Sequence, residues 1–272
     1  MAEKQNIMAT AEPWDLVSEG YAETTMQMLA EYAEEALACL TLHENTAFLD
    51  VACGPGTVSL MVADKVKSVH AIDFSTAMLD VFQKKISDSK LKNIYPHHGD
   101  AQNLPYENEH FDAAISMFGL MFFPDRAAGL AEIYRTLKSG GCMVMSSWAP
   151  VADSPAMQVM FGALRMINPD LPEPKTAVES LENPEVLKQE LLDAGFRDVS
   201  IRSVIKHFPV DKIPAFWEGM VKGSAPIMLM KHRMGDVLWQ EKEQLALAYL
   251  HEMLPTVPTT LASNAWLGMG TK

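Results

Sequence analysis

Residues 47–57 read Ala47-Phe-Leu-Asp-Val-Ala-Cys-Gly-Pro-Gly-Thr57, and this stretch decides the fold. Ala47 to Ala52 is an apolar run that reads as a strand. Gly54-Pro55-Gly56 then forces a turn, and Thr57 to Val66 reads as a helix with Val58, Met61 and Val62 on one face. Glycine in such a turn lets the backbone approach a ligand without a Cβ in the way, and the helix start offers free N–H groups.

The same alternation repeats outward. Ser68 to Asp73 reads as a second strand, and Ser75 as the N-cap of a helix carrying Met78, Leu79, Phe82 and Ile86. Ile94 to Gly99 is a third strand, and Phe111 to Met117 a fourth, apolar enough to be buried on both faces. Asp125 to Lys138 reads as a helix closed by Gly140-Gly141, and Cys142 to Trp148 as a fifth strand. Strands alternating with helices through short turns imply an α/β fold, a parallel sheet with helices on both faces.

Three regions break that rhythm. Residues 1–45 read as an N-terminal helical cap, with Met26, Leu29, Ala33 and Leu37 at helical spacing. Residues 149–182 are rich in Pro and Met and contain a helix from Pro155 to Met166. Asn183-Pro184 caps a helix ending at Gly195, and Val199 to Phe208 alternates as a sixth strand. Residues 211–257 then read as a helical lid, with helices over Ile213–Lys222 and Asp236–Leu254, before Leu261 to Gly270 returns as a last strand. The expected organisation is therefore a sheet domain over 46–210 and 258–272, carrying the cap and the lid.

Composition bounds the function. The 272 residues are 48% hydrophobic and 21% charged, which is ordinary globular composition and excludes a disordered or collagen-like chain. The longest nearly unbroken apolar run, Ala113 to Phe123, is far short of the roughly 20 residues a spanning helix needs. Residues 1–6 lack a signal-peptide core, and three scattered cysteines suit neither a disulfide framework nor a metal site, so the expectation is a reduced, cytoplasmic chain without bound metal. A net charge of −13 repels phosphate backbones and anionic membranes, which leaves a small-molecule partner rather than nucleic acid.

Two acidic residues join the glycine turn at the carboxyl edge of the sheet, the ligand edge of open α/β folds. Asp73, 19 residues after Gly54, ends the second strand, where a carboxylate accepts both hydroxyls of a ribose. Asp100 follows the third strand, placed to take an adenine amino hydrogen. A nicotinamide oxidoreductase is the first rival. Its fingerprint wants a small glycine-type residue three positions after Gly56, and Ser59 stands there. Tyr134 and Lys138 match the Tyr-x-x-x-Lys pair of short-chain dehydrogenases, but at the end of a helix with Leu130, Ile133 and Leu137 on its buried face they read as scaffold.

Taken together, these segments resemble the class I S-adenosylmethionine-dependent methyltransferases. Leu49 to Thr57 looks like their first motif, Ala71 to Leu79 like the segment after their second strand, and Gly99 to Tyr106 and Phe111 to Ser116 like their third- and fourth-strand signatures. Leu130 to Gly141 is similar to the helix leading into their fifth strand. The resemblance points to the branch containing ubiquinone and menaquinone biosynthesis methyltransferases; it covers 46–148 well, 183–210 less well, and the cap and inserts poorly. It implies a Rossmann-like doubly wound sheet, mostly parallel with about seven strands, holding S-adenosylmethionine. By that resemblance Ala52, Cys53, Gly54 and Gly56 would pack on the methionine part, with Asp50 orienting the loop and the amino group. Asp73 would hold the ribose, Phe74 the adenine face, Asp100 and Ala101 the adenine edge, and Ser116 the methionine ammonium through its carbonyl, with Met78 a further cofactor-binding residue. Tyr21 would close over the cofactor.

The acceptor pocket is expected between the sheet edge and the inserts. Phe118, Met121 and Trp148 would wall it from the core, and Trp217 and Met220 would cover it from the lid, which suits a hydrophobic or aromatic acceptor. The glycines at 219, 223 and 235 are candidate hinges. His207, after the sixth strand, is the candidate base; His97 and His98, adjacent in a strand, point to opposite faces. A nicotinamide oxidoreductase and a noncatalytic cofactor-binding protein remain the alternatives.

Overall fold

The computed structural model describes residues 6–171 and 180–272. Residues 1–5 of the expected cap and 172–179 of the Pro- and Met-rich stretch lie outside the described residues. The described residues form one seven-stranded sheet: β1 (Ala47–Val51), β2 (Ser68–Asp73), β3 (Ile94–His98), β4 (Phe111–Ser116), β5 (Leu137–Trp148), β6 (Arg197–Val210) and β7 (Thr259–Thr271), ordered β3-β2-β1-β4-β5-β7-β6. The first five strands are parallel. β7 runs antiparallel to both β5 and β6, so the sheet is mixed. The chain winds outward in one direction from β1 and in the other from β4, which makes the gap between their carboxyl ends the topological switch point.

Alternate residues of each central strand feed two opposite cores. Phe48, Val69, Ala71, Ala113 and Ile115 face α2 (Met26–Leu37), α3 (Thr57–Val62) and Phe82 of α4 (Thr76–Asp88). Leu49, Val51, Ile72 and Ala114 face Leu130 and Ile133 of α5 (Arg126–Thr136), and Leu187 and Leu191 of α7 (Pro184–Asp193). Every one of these side chains is almost fully removed from water, worth roughly 1.5–3 kcal/mol for each large one.

The N-terminal segment is helical without a break from Glu12 to Leu37. α1 (Glu12–Gly20), with Pro13 in its first turn, passes through a π-helical turn at Tyr21–Thr25 into α2. α6 (Pro155–Ile167) follows β5, and α8 (Ile213–Gly223), α9 (Ala225–Met234) and α10 (Asp236–Met253) intervene between β6 and β7. α6, α8, α9 and α10 share a third apolar cluster that includes Trp217, Trp239 and Ile227.

Two details depart from the sequence reading. The helix expected to run to Lys138 ends at Thr136, and β5 begins at once with Leu137 in extended conformation. Gly140 and Gly141 lie inside β5, where the pairing with β4 shifts between Phe111 and Ala113. Lys138 ties that irregular segment to Asp112 at 2.7 Å. The link from β3 to β4 contains no helix. Instead Arg135 donates to the carbonyls of Tyr106 (2.8 Å) and Leu104 (3.1 Å), while Glu132 accepts the Leu104 N–H at 2.8 Å, so one pair on α5 pins the loop that carries Asp100.

Candidate functional site

The site is built where β1, β2, β3 and β4 end. After β1 the backbone turns into the left-handed region at Ala52 (φ 55°), Gly54 (φ 52°) and Gly56 (φ 82°). A non-glycine residue in that region costs free energy, and such residues collect where a ligand is clamped. The turn is held from both sides by carboxylates. Asp73 accepts the Gly54 N–H at 2.7 Å and the Ser75 N–H at 2.9 Å. Asp50, only 2% exposed, accepts the Ser59 N–H at 3.1 Å and its hydroxyl at 2.6 Å. Ser59, which breaks the dinucleotide fingerprint, is thus the partner of a buried carboxylate.

After β4 the chain makes a matching turn. Phe118 is also left-handed (φ 55°), held by its N–H donating to the Ser146 hydroxyl at 2.8 Å and by stacking on Trp148 at 4.1 Å. A Cβ on Gly119 would lie 2.4 Å from the Ala52 Cβ, so the two turns touch and glycine is required there. Beside this contact the Ser116 hydroxyl is buried without a hydrogen-bond partner.

Between the turns opens a cavity of about 270 Å³. Ala52, Gly54, Asp73, Phe74, Met78, Asp100, Ala101 and Phe118 line it, together with Tyr21 from the π-helical turn. A smaller hollow adjoins it, lined by Asp50, Cys53, Pro55 and Thr57, with Tyr21, Ala52, Gly54 and Met117 common to both. Carboxylates from Asp50, Asp73 and Asp100 therefore surround one crevice, and no Lys or Arg of the described residues lines it. Asp100 is exposed and accepts from the Gln102 N–H at 2.8 Å. Burial pushes the carboxyls of Asp50 and Asp73 up, with their mutual repulsion adding to Asp50. Burial, and then the charge of Asp73, likewise raises the Tyr21 hydroxyl and the Cys53 thiol, so both stay protonated at neutral pH.

Several expected positions need correction. Gly56 does not face the cavity: a Cβ there would lie 2.1 Å from the Phe82 ring, so it is a packing glycine. His207 is exposed on β6 opposite Ala262, because the alternation of the strand turns Phe208, not His207, toward Tyr32. Trp217 lies 2% exposed in the apolar cluster of the insert, stacked on Trp239 with both indole N–H groups donating to Glu243. Met220 packs on the same cluster, so neither residue walls the cavity. Met121 packs beneath the site, and Trp148 stands one layer behind it, against Phe118. Gly223 is no hinge: a Cβ there would strike the Thr25 hydroxyl at 2.1 Å, and that hydroxyl donates to the Gly223 carbonyl.

Met117, Gly119, Phe122 and Phe123, from the apolar stretch 117–123 expected to flank the acceptor, line the cavity, whereas sequence reasoning missed Trp14, Gln102 and Pro124. Trp14 meets Phe122 edge-on at 5.1 Å across the mouth. Pro13 behind Glu12 was a readable signal for a helix start there.

Residues 48–141 match the family described as methyltransferase domain. A demethylmenaquinone methyltransferase of Listeria monocytogenes is 33% identical over 120 residues, covering 43% of this chain and 51% of that protein. The chain thus spans about half the length of that relative. A Geobacillus protein of the same name is 27% identical over 187 residues, covering 64% of this chain and 80% of its own. A phosphoethanolamine N-methyltransferase of Haemonchus contortus, solved with phosphomonomethylethanolamine and S-adenosylhomocysteine, superimposes with a TM-score of 0.56 at 18% identity, over 89% of this chain and 52% of its own. At that identity the likeness is one of fold. Residues 48–141 are thus similar to a methyltransferase domain.

Proposed function

We propose that the protein transfers a methyl group from S-adenosylmethionine to a small hydrophobic or aromatic acceptor; the names of its relatives favour a quinone-type acceptor. The observation that carries this reading is the all-acidic crevice at the switch point, with Asp73 braced by Gly54 and Ser75 and an open approach over Gly54. A Cβ at Gly54 would meet nothing within 4 Å, so the space above it is free for a ligand. A dinucleotide would bring phosphates into three carboxylates; a sulfonium is a cation and is drawn by them.

When bound, the sulfonium supplies an already activated methyl group. The work left to the chain is to hold, orient and exclude water, and alignment of this kind lowers a barrier by roughly 7–11 kcal/mol. Asp73 keeps one lone pair on each oxygen for the ribose hydroxyls. Asp100 and Ala101 border the adenine side, and Phe74 and Met78 its faces. Asp50 and Gly54 border the amino-acid side, and the Ser116 side chain is buried and lines neither cavity. Trp14 and Phe122, in edge-on contact, give the cavity an apolar wall that disfavours water. The N-terminal helices, on whose outer side α8 and α9 of the insert pack, act as the cover over the site.

Asp50 gives this reading a pH signature. Burial raises its carboxyl from 3.8 to about 7, so the free protein holds the proton that the unfolded chain releases near 4. That contribution to stability is full below pH 4 and is lost as pH rises through about 7. A bound cation favours the carboxylate, so affinity for S-adenosylmethionine should rise as pH climbs from 6 to 8, with protons released on binding. Calorimetry in buffers of differing ionisation enthalpy measures that release; proton uptake instead would contradict the assignment. The activity itself is tested by incubating the protein with methyl-deuterated S-adenosylmethionine and a panel of hydroquinones and other aromatic acceptors. Mass spectrometry should find the labelled methyl on an acceptor and matching S-adenosylhomocysteine. Tight cofactor binding with no turnover on any acceptor would favour the noncatalytic alternative.

A further inference from the structure

Resting on that cofactor reading, we propose that Asp15 is a positioning residue that latches α1 onto the start of α4, and so sets how fast the cofactor and its demethylated product exchange. Asp15 Oδ1 accepts the Ser75 hydroxyl at 2.6 Å and the Ala77 N–H at 3.3 Å, joining segments 60 residues apart. Ser75 is the N-cap of the 13-residue α4, its oxygen accepting the Met78 N–H at 3.1 Å. A carboxylate at that helix end meets free N–H groups and the positive end of the helix dipole. The Ser75 N–H donates to Asp73, and Asp73 in turn accepts the Gly54 N–H. One chain of hydrogen bonds therefore runs from the N-terminal helix through Ser75 and Asp73 to the glycine turn.

α1 is also a wall of the cavity. Trp14, the neighbour of Asp15, lines it and meets Phe122 on the far side of the mouth, and Tyr21 follows directly after α1. Below Asp15, Val17 packs with Met78 and Ala225. The Trp14–Phe122 contact narrows the approach to the cavity, and in this proposal α1 lifts, breaking the Asp15–Ser75 bond, for exchange. The negative charge of Asp15 beside Asp73 adds to the burial that raises the Asp73 carboxyl, so a bound cation relieves a repulsion that the latched free state carries.

The test compares wild type with Asp15→Ala and Asp15→Asn, both of which leave Ser75 free to cap α4. Stopped-flow mixing with S-adenosylhomocysteine should show association and dissociation rates both raised at least tenfold in Asp15→Ala, with a smaller change in Kd. Asp15→Asn, which keeps an oxygen acceptor, should fall between. A loss of affinity confined to the dissociation rate would assign Asp15 to ligand contact and overturn the latch. Hydrogen exchange supplies an arm that needs no ligand: amides of residues 15–20 should exchange at least tenfold faster in Asp15→Ala, and those of residues 80–88 should not change. Unaltered protection of α1 would overturn the proposal whatever the ligand proves to be. Faster α1 exchange in a protein that ignores S-adenosylhomocysteine would keep the latch and refute the cofactor reading.

Discussion

Asp73→Ala should lower the affinity for S-adenosylhomocysteine at least a hundredfold, measured by titration calorimetry. Hydrogen bonds to a charged group contribute roughly 1.5–3 kcal/mol each, and two ribose hydroxyls would lose their acceptor. At about 1.4 kcal/mol per tenfold, the smaller value already gives a hundredfold. The variant also leaves the N–H groups of Gly54 and Ser75 without partners, so the glycine turn loses one of its two braces. Asp73→Asn separates the contributions. It keeps one oxygen acceptor but loses the charge, and should retain more of the melting temperature than of the affinity. Wild-type affinity in a folded Asp73→Ala protein would reduce Asp73 to a loop brace.

Gly56→Ala carries the largest expected cost in stability. The added Cβ would lie 2.1 Å from the Phe82 ring, which is itself fully buried against α3 and the sheet. It would also hold alanine at φ 82°, a conformation costing roughly 1–2 kcal/mol. Overpacking a filled core adds about 1–3 kcal/mol. The sum, about 2–5 kcal/mol, corresponds to a fall in melting temperature of roughly 5–15 °C by calorimetry. A shift under 2 °C would mean that Phe82 moves aside easily and that the tightness of the turn comes from elsewhere.

The two glycines of the turn show what sequence could and could not convey. Both were legible as a strand-to-helix turn beneath a ligand, and the strands around them followed from alternation of apolar residues that the two cores use in turn. Their division of labour was not legible: Gly54 leaves space and Gly56 fills a notch over Phe82, and only the approach of α4 separates them. Asp73 and Asp100 could be found because they end strands, where position along the chain fixes position in space. His207 and Trp217 were misplaced for the opposite reason. A strand slipped by one residue reverses which side chain faces inward, and a helix rich in Met and aromatic residues packs its own neighbours as readily as a ligand. Trp14 and Asp15 escaped notice because their partners, Phe122 and Ser75, are distant in sequence and the contacts are set by docking of the N-terminal helix.

The central claim is that the acidic crevice between β1 and β4 holds S-adenosylmethionine. Titration of the free protein with S-adenosylmethionine, S-adenosylhomocysteine and NAD, under one buffer and salt condition, tests it most directly. One site should appear, with a dissociation constant on the order of micromolar for the first two, about −8 kcal/mol, and far weaker binding of NAD. Tight binding of NAD with no heat from either sulfur compound would contradict it.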